Sequence, residues 1–179
     1  MSTNRLSEGH FLAATPNILY HPRRFFWLRP LYSARNQNLH GELFMSLLEC
    51  VRIEPPKEAT ATVIWLHGLG ANGHDFEPVV PHLGLNESAM VRFLFPNAPS
   101  IPVTINNGFT MPAWHDIYSA DLKREPDEVG LRTSVAAVRA LVMHENSLGI
   151  TSDRIIIAGF SQGGAVGLEL ALTHPEPLA

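Results

Sequence analysis

The segment Arg154-Ile155-Ile156-Ile157-Ala158-Gly159-Phe160-Ser161-Gln162-Gly163 decides how this chain folds. Its run of three isoleucines is typical of a strand covered on both faces, so we expect a central strand of a parallel sheet over residues 154–159. A helix-like stretch follows the serine. Gly159 and Gly163 have no side chains, which lets the strand and the helix approach closely. The segment therefore predicts a sharp strand-to-helix turn that holds Ser161 in a strained backbone conformation.

The serine at this turn is a candidate nucleophile. The pattern Gly-x-Ser-x-Gly is short and occurs by chance in turns of many proteins, so alone it says little. A nucleophile elbow requires a strand before it and a helix after it, and the sequence predicts both. The N–H groups at the start of that helix then lie beside the hydroxyl, where they favour an anion. Because acyl transfer forms an oxyanion, we predict that Ser161 attacks an acyl group.

A second segment supplies the other half of such a site. Residues 61–66 have the pattern of a buried strand and lead into His67-Gly68-Leu69-Gly70-Ala71-Asn72-Gly73. In α/β-hydrolases, the loop after an early strand donates a second backbone N–H to the oxyanion. Leu69 lies between two glycines, so nothing obstructs its backbone, and it suits this task.

The same loop offers a rival interpretation, dinucleotide binding. Residues 68–73 also fit the pattern G-x-G-x-x-G after a strand. That fold requires an acidic residue at the end of the next strand to hold a ribose hydroxyl. Here the next strand, at residues 90–95, ends in Pro96-Asn97, and Pro81 interrupts the helix that should follow the glycines. The hydrolase is therefore the stronger interpretation.

Five motifs together resemble the phospholipase/carboxylesterase family, which includes small bacterial carboxylesterases and acyl-protein thioesterases. The resemblance extends from about Met45 to Ala179. It implies an α/β-hydrolase with a mostly parallel sheet, helices on both faces, a Ser-Asp-His triad and no cofactor. The implied reaction is hydrolysis of a small carboxylic ester, thioester or lysophospholipid through an acyl-serine intermediate. The motifs are His67-Gly68-Leu69-Gly70-Ala71, Asn97-Ala98-Pro99, Pro102-Val103-Thr104-Ile105-Asn106, Ala113-Trp114 with Asp116-Ile117, and Gly159-Phe160-Ser161-Gln162-Gly163-Gly164-Ala165.

The resemblance also assigns roles by position. Ser161 is the nucleophile, and the backbone N–H groups of Leu69 and Gln162 form the oxyanion hole. Trp114, together with Leu69, lies near the acyl pocket. His115 stands where the family usually has an aromatic or apolar residue, which alters the expected shape of that pocket.

The acid and the histidine of such a triad follow the serine in the chain. No Asp follows Ser161, and the one later histidine, His174, is at the far end of the predicted helix, beyond hydrogen-bond reach. We therefore expect the triad Asp and His to be absent, and residues 45–179 to be the amino-terminal portion of a hydrolase domain, incomplete at its carboxy-terminal end. The alternative is a non-catalytic fragment that at most binds acyl ligands or partners.

The five histidines between Met45 and Ser161 are interpreted as structural. None has an acidic partner in a triad arrangement, and no pair of His or Cys residues has the spacing of metal ligands. The sequence therefore predicts neither a substitute base nor a metal site. These histidines are His67, His74, His82, His115 and His144.

Charge divides the chain near Met45. Residues 1–44 contain five Arg and two Glu, a balance of +3, which leaves −7 for the rest of a chain whose net charge is −4. We expect residues 1–44 to be a basic leader, disordered or non-native. A mitochondrial transit peptide is the alternative, although Pro16, Pro22 and Pro30 would break its helix.

The remaining features limit the compartment and the partners. Cys50 is the only cysteine, so a disulfide within the chain is excluded and a reducing cytoplasm is expected. No apolar run approaches the length of a membrane span, so no stable membrane insertion is expected. The mildly acidic balance gives no reason to expect nucleic acid.

The order of predicted elements alternates between strand and helix. Strands are predicted at residues 49–54, 61–67, 90–95 and 154–159, and a helix runs from Asp127 to Leu148 with Gly149 as its stop. Between the third and fourth strands, residues 97–121 form a long loop rich in Pro, Asn and Gly, where substrate loops of such folds reside.

Overall fold

The computed structural model describes residues 47–86, 88–121 and 125–179. The predicted leader over residues 1–44 lies outside these ranges. The helices are α1, Glu128–Ser147, and α2, Gln162–Thr173, with 3-10 turns at Glu77–His82, Thr104–Asn106 and Ser152–Arg154. The strands are β1, Cys50–Ile53; β2, Ala61–Leu66; β3, Val91–Pro96; β4, Ser100–Val103; β5, Phe109–Pro112; and β6, Ile155–Gly159.

Four strands form the main sheet in the order β1-β3-β2-β6. Strand β2 runs parallel to both β3 and β6, and β1 is antiparallel to β3. All four predicted strands and the predicted helix α1 are therefore confirmed. The carboxyl ends of the three parallel strands meet at one edge of the sheet, which is where open α/β sheets bind ligands.

Both α-helices contribute to the core on one face of the sheet. In β2 the buried side chains alternate, with Thr62, Ile64 and Leu66 on this face. The core cluster joins Ile64 and Leu66 to Val138 of α1 and Leu170 of α2. Burial of this apolar surface holds the helices in place.

Aromatic side chains cover part of the opposite face. Trp65 stacks on Phe76 with ring centroids 5.1 Å apart and on Phe95 at 6.2 Å. Phe76 in turn lies 6.0 Å from Phe160, the residue before the serine. This layer connects the loop after β2 with the strand-to-helix turn.

The position of β6 differs from the prediction. In the described part of the chain, β6 pairs only with β2 and forms an edge of the sheet, and Ile156 is 46% exposed. The prediction of a central strand covered on both faces is therefore wrong for these residues. The apolar run correctly indicated a strand, but its pairing depends on segments distant in sequence.

The loop predicted at residues 97–121 contains a hairpin. Strands β4 and β5 pair antiparallel, from Ser100 opposite Pro112 to Val103 opposite Phe109. Their connection uses two left-handed residues, Asn107 at φ 55° and Gly108 at φ 73°. No helix among the described residues is long and apolar enough to cross a membrane.

Candidate active site

Ser161 has the strained backbone that the sequence predicted. It is the N-cap of α2, with φ 53° and ψ −117°, a combination that a non-glycine residue seldom adopts. Its side chain makes no capping hydrogen bond and the residue is exposed. The turn therefore points a free hydroxyl toward solvent at the carboxyl end of β6.

Two glycines allow this turn. A Cβ added to Gly163 would lie 2.4 Å from the carbonyl oxygen of Leu66, and one added to Gly159 would lie 2.3 Å from that of Gly163. Both distances are shorter than real Cβ contacts allow, and the opposing atoms are backbone. The predicted reason for glycine at these positions, close approach of strand and helix, is confirmed.

The loop after β2 lies against the serine. A Cβ built on Gly68 would be 3.5 Å from Cβ of Ser161 and 3.2 Å from the ring of Phe160. The structure thus brings together the two segments that the sequence analysis combined into one site.

The backbone N–H groups of Leu69 and Gln162 have no hydrogen-bond partner among the described residues. Gln162 is the first residue of α2, where an N–H has no partner within the helix. The neighbouring N–H groups are occupied: Gly70 donates to Pro112 O at 2.8 Å, and Gly163 donates to Phe160 O at 2.9 Å. The two donors that the resemblance implies are therefore both free.

The side chain of Gln162 makes contacts that sequence analysis missed. Its Oε1 accepts from the backbone N–H of Trp114 at 3.1 Å, and its Nε2 donates to His115 O at 2.8 Å. No sequence motif signals such a pair of contacts, because its partners lie 47 or 48 residues away along the chain.

Trp114 is part of the core. Its side chain is 2% exposed, its indole N–H donates to His67 O at 2.8 Å, and its ring lies 5.3 Å from the imidazole of His67. Ser134 of α1 donates its hydroxyl to Trp114 O. A role for Trp114 beside the acyl pocket remains a prediction, and the structure shows that it buttresses the loop carrying Leu69.

His67 cannot act as a base on Ser161 in this arrangement. The residue is 1% exposed, and Nε2 accepts from the N–H of Ala98 at 3.0 Å. This contact assigns the proton to Nδ1, which lies 2.7 Å from Gly68 O and donates to it. Both ring nitrogens are occupied, so His67 shapes the loop, and its predicted structural role is confirmed.

Two further histidines have ring partners other than the serine. His74 pairs with Glu77 at 2.8 Å on the surface, and His115 Nδ1 lies 2.9 Å from Asp116 O. His174 caps the far end of α2, whose 12 residues span about 18 Å at roughly 1.5 Å per residue. Among the described residues, no hydrogen bond joins Ser161 to a histidine.

Two competing kinds of site are poorly supported within the described residues. Cys50 is a weak rival nucleophile, because burial raises the pKa of its thiol to about 11 and keeps it protonated at neutral pH. No group of three or more His, Cys, Asp or Glu side chains in these residues could hold a metal ion.

A largely parallel sheet, a serine at a strained strand-to-helix turn and a glycine-rich loop beside it define an α/β-hydrolase fold. The sequence model of the family described as phospholipase/carboxylesterase matches residues 48–179. The chain therefore belongs to the phospholipase/carboxylesterase family, and the resemblance inferred from its motifs is confirmed.

Individual relatives agree with this assignment. Acyl-protein thioesterase 1 of Schizosaccharomyces pombe is 50% identical over 133 residues, which are 74% of this chain and 58% of the relative. The solved structure of Arabidopsis thaliana SOBER1 matches with a TM-score of 0.62 and 35% identity, covering 66% of this chain and 57% of that one. Zea mays acyl-protein thioesterase 2 matches with a TM-score of 0.59 and 31% identity, covering 69% and 50%. The chain thus spans about half to three fifths of the length of these proteins.

Proposed function

We propose that this protein is a serine hydrolase that cleaves carboxylic esters or thioesters through an acyl-Ser161 intermediate. One observation carries the proposal: the strained, exposed Ser161 lies beside a loop in which the N–H of Leu69 is free, as is the N–H of Gln162. Such a group of a hydroxyl and two unpaired donors suits the attack on a carbonyl and the oxyanion that results.

The reaction follows from these groups. Ser161 Oγ forms a bond to the carbonyl carbon as its proton passes to hydroxide of the solvent, and the carbonyl electrons move onto oxygen. The two N–H groups stabilise that oxyanion. Its collapse expels the alcohol or thiol and leaves acyl-Ser161, which water then cleaves to the carboxylic acid and free serine. The described residues supply the nucleophile and the donors, and no hydrogen bond joins any of their histidines to Ser161.

The relatives support an acyl substrate. Proteins named acyl-protein thioesterase occur among both the sequence relatives and the solved structures that the chain resembles. We infer that the chain acts on an acyl ester or thioester, with Leu69 and Trp114 beside the acyl group. We also infer that it acts in the cytoplasm, since its single cysteine forms no disulfide within the chain.

Covalent capture tests the proposal. The chain is incubated with p-nitrophenyl acetate at mildly alkaline pH, and the acetylated residue is located by peptide mass spectrometry. We expect one acetyl group per chain, on Ser161, in the wild type and in Ser88→Ala, which changes another exposed serine. Ser161→Ala should lose it. Acetylation spread over lysines and other serines, unchanged in Ser161→Ala, would contradict the proposal.

The missing contact to a histidine favours a second candidate, a chain that binds acyl ligands without turnover. In that case a long-chain fatty alcohol should bind to the chain, as measured by calorimetry. Ser161 should stay unmodified by p-nitrophenyl acetate. Acetylation of Ser161 would reject this candidate.

A further inference from the structure

The side chain of Gln162 is buried although the residue follows an exposed serine. Gln162 is 5% exposed, and both ends of its amide are used: Oε1 accepts from Trp114 N and Nε2 donates to His115 O. A primary amide offers a donor and an acceptor at the same reach, which a carboxylate or a thioether does not. The side chain of Gln162 is therefore hydrogen-bonded to the backbone of two consecutive residues in the segment that follows β5.

The same segment holds the loop that carries Leu69. Pro112 O accepts from Gly70 N at 2.8 Å, and the indole of Trp114 donates to His67 O at 2.8 Å. Leu69 thus lies between residues on either side that are anchored to residues 112–114. Hydrogen bonds at residues 112–115 therefore link the side chain of Gln162, through the backbone of that segment, to the loop on both sides of Leu69.

We propose that the side chain of Gln162 is a positioning residue for the oxyanion hole. Its backbone N–H is one donor, and its side chain, through residues 112–115, fixes the distance to the other donor, the N–H of Leu69. This inference rests on the proposed function. Donors that are held in place before the charge forms stabilise a transition state without reorganisation. Loosening the link therefore lowers the maximal rate of acylation more than it weakens ester binding.

Two variants of Gln162 and one control at Asn146 separate this role from general stability. Gln162→Met keeps the size of the side chain and removes both hydrogen bonds. Gln162→Glu keeps an acceptor for Trp114 N but turns a second oxygen toward His115 O. Asn146→Leu is the control, because it removes an amide that bonds Ile150 O at 2.9 Å on the connection between α1 and β6 and links neither donor.

Gln162→Glu gives a pH readout. A protonated carboxyl again presents one donor and one acceptor and can replace the amide, whereas the ionised form cannot. Burial raises the pKa of a carboxyl. In Gln162→Glu, we expect hydrogen exchange at Gly70 and Trp114 and the maximal rate of Ser161 acetylation to return toward the wild-type values. This return should occur as the pH falls through the pKa of the introduced carboxyl. Gln162→Met should show no such return.

Hydrogen exchange and acylation are measured on the full chain. In Gln162→Met, the indole N–H of Trp114 and the amide of Gly70 should exchange on the order of 5–30-fold faster, the effect of losing one or two kcal/mol of local stability. The maximal rate of Ser161 acetylation should fall about as much, with little change in the ester concentration at half-maximal rate. Asn146→Leu should change neither quantity beyond its effect on global unfolding.

The outcomes distinguish this inference from the proposed function. No acetylation of Ser161 in the wild type would reject the proposed function, and exchange at Gly70 and Trp114 would still decide whether Gln162 holds the loop. Acetylation in the wild type that is unaltered in Gln162→Met would overturn the positioning role and leave the function intact. The positioning role would also be overturned if Gln162→Met and Asn146→Leu lost exchange protection and acetylation rate equally, and if low pH did not restore either quantity in Gln162→Glu.

Discussion

Ser161 is held in a conformation that is unfavourable by itself. Backbone strain of this kind costs on the order of 1–3 kcal/mol and persists only where the surroundings enforce it. Here the core packing of α2 against β2 and the contact of Gly163 with the carbonyl of Leu66 enforce it. The strain exposes the hydroxyl and directs the first N–H of α2 to the same place, so one local conformation produces both parts of the site.

Substitution of Gly163 tests the close approach. Gly163→Ala places a Cβ 2.4 Å from Leu66 O and 2.6 Å from His67 O, atoms that cannot move without shifting β2. We expect the free energy of unfolding in urea to fall by about 1–3 kcal/mol, as overpacking does. Gly164→Ala is the control, since its Cβ would meet Gly159 O at 3.3 Å. An equal effect of the two substitutions would contradict this explanation.

Turnover by the chain of residues 1–179 should be slow. An unassisted serine hydroxyl is a weak nucleophile at neutral pH, and loss of the histidine from a Ser-His-Asp unit costs about 10⁶ in kcat. Steady-state hydrolysis of a short-chain p-nitrophenyl ester should therefore be far below ordinary enzyme rates. An ordinary rate that Ser161→Ala abolishes would reveal a base outside the contacts described.

At this scale the sequence predicted the local geometry and missed the side-chain network. The glycines around Ser161 and the free N–H of Leu69 follow from short motifs, because backbone geometry at a turn is set locally. The side-chain contacts of Gln162 with Trp114 and His115 depend on how the loop after β5 returns to the elbow. That return is a tertiary feature, and no local pattern indicated it.

Among the secondary-structure elements, the hairpin of β4 and β5 is anchored by the carboxylate of Asp116. Asp116 Oδ1 accepts from the N–H groups of Thr104 and Ile117, both at 2.7 Å, and Oδ2 accepts from Thr104 Oγ1 at 2.5 Å. The hairpin ends at Pro112, the residue that binds the N–H of Gly70. The anchor therefore steadies the segment from which the loop carrying Leu69 is held.

Acid should release this anchor. Desolvation pushes the pKa of Asp116 upward, but the hydrogen bonds from Thr104 and Ile117 outweigh it and hold the pKa below its ordinary value of 3.8. The carboxylate is thus favoured in the folded state, so its stabilisation is present above pH 3.8 and is lost as the pH falls through the lower folded value. The amide shifts of Thr104 and Ile117 should titrate with a midpoint below 3.8 in wild type and not in Asp116→Asn. A midpoint at or above 3.8 would count against the anchor.

The sequence predicted this region as a loop and missed its hairpin. Asn107-Gly108 is a dipeptide that favours the left-handed residues of hairpin turns, and both residues are left-handed in the structure. The strands on either side are four residues long and contain Pro102 and Pro112. Such short strands carry too few alternating residues to stand out from a loop.

At the scale of the whole molecule, the described sheet has an open edge at β6. Ala179 donates its N–H to Ile155 O at 3.1 Å, and no strand of the described residues pairs with the far side of β6. Large apolar side chains are exposed on β6 and after it: Ile156 is 46% exposed, Phe160 62% and, on α2, Leu168 64%. An unpaired edge next to apolar side chains is a template for association with another chain.

We therefore expect residues 1–179 to self-associate in solution. Sedimentation velocity should show oligomers or aggregates, and Ile156→Lys, which places a charge on the edge, should shift the distribution toward monomer. Val129→Lys is the matched control, because Val129 is 78% exposed on α1. A monomeric profile for the wild type with a cooperative thermal transition would show that the edge is harmless.

A tetrahedral adduct on Ser161 tests the central claim most directly. Reaction with a p-nitrophenyl phosphonate places an anionic oxygen where the oxyanion would form, and amide proton shifts are compared before and after. We predict large downfield shifts for the amides of Leu69 and Gln162 and small ones for Gly70 and Gly163, whose N–H groups already donate to carbonyls. Modification of another residue, or an adduct on Ser161 that leaves the Leu69 and Gln162 amides unmoved, would contradict the assignment of this site.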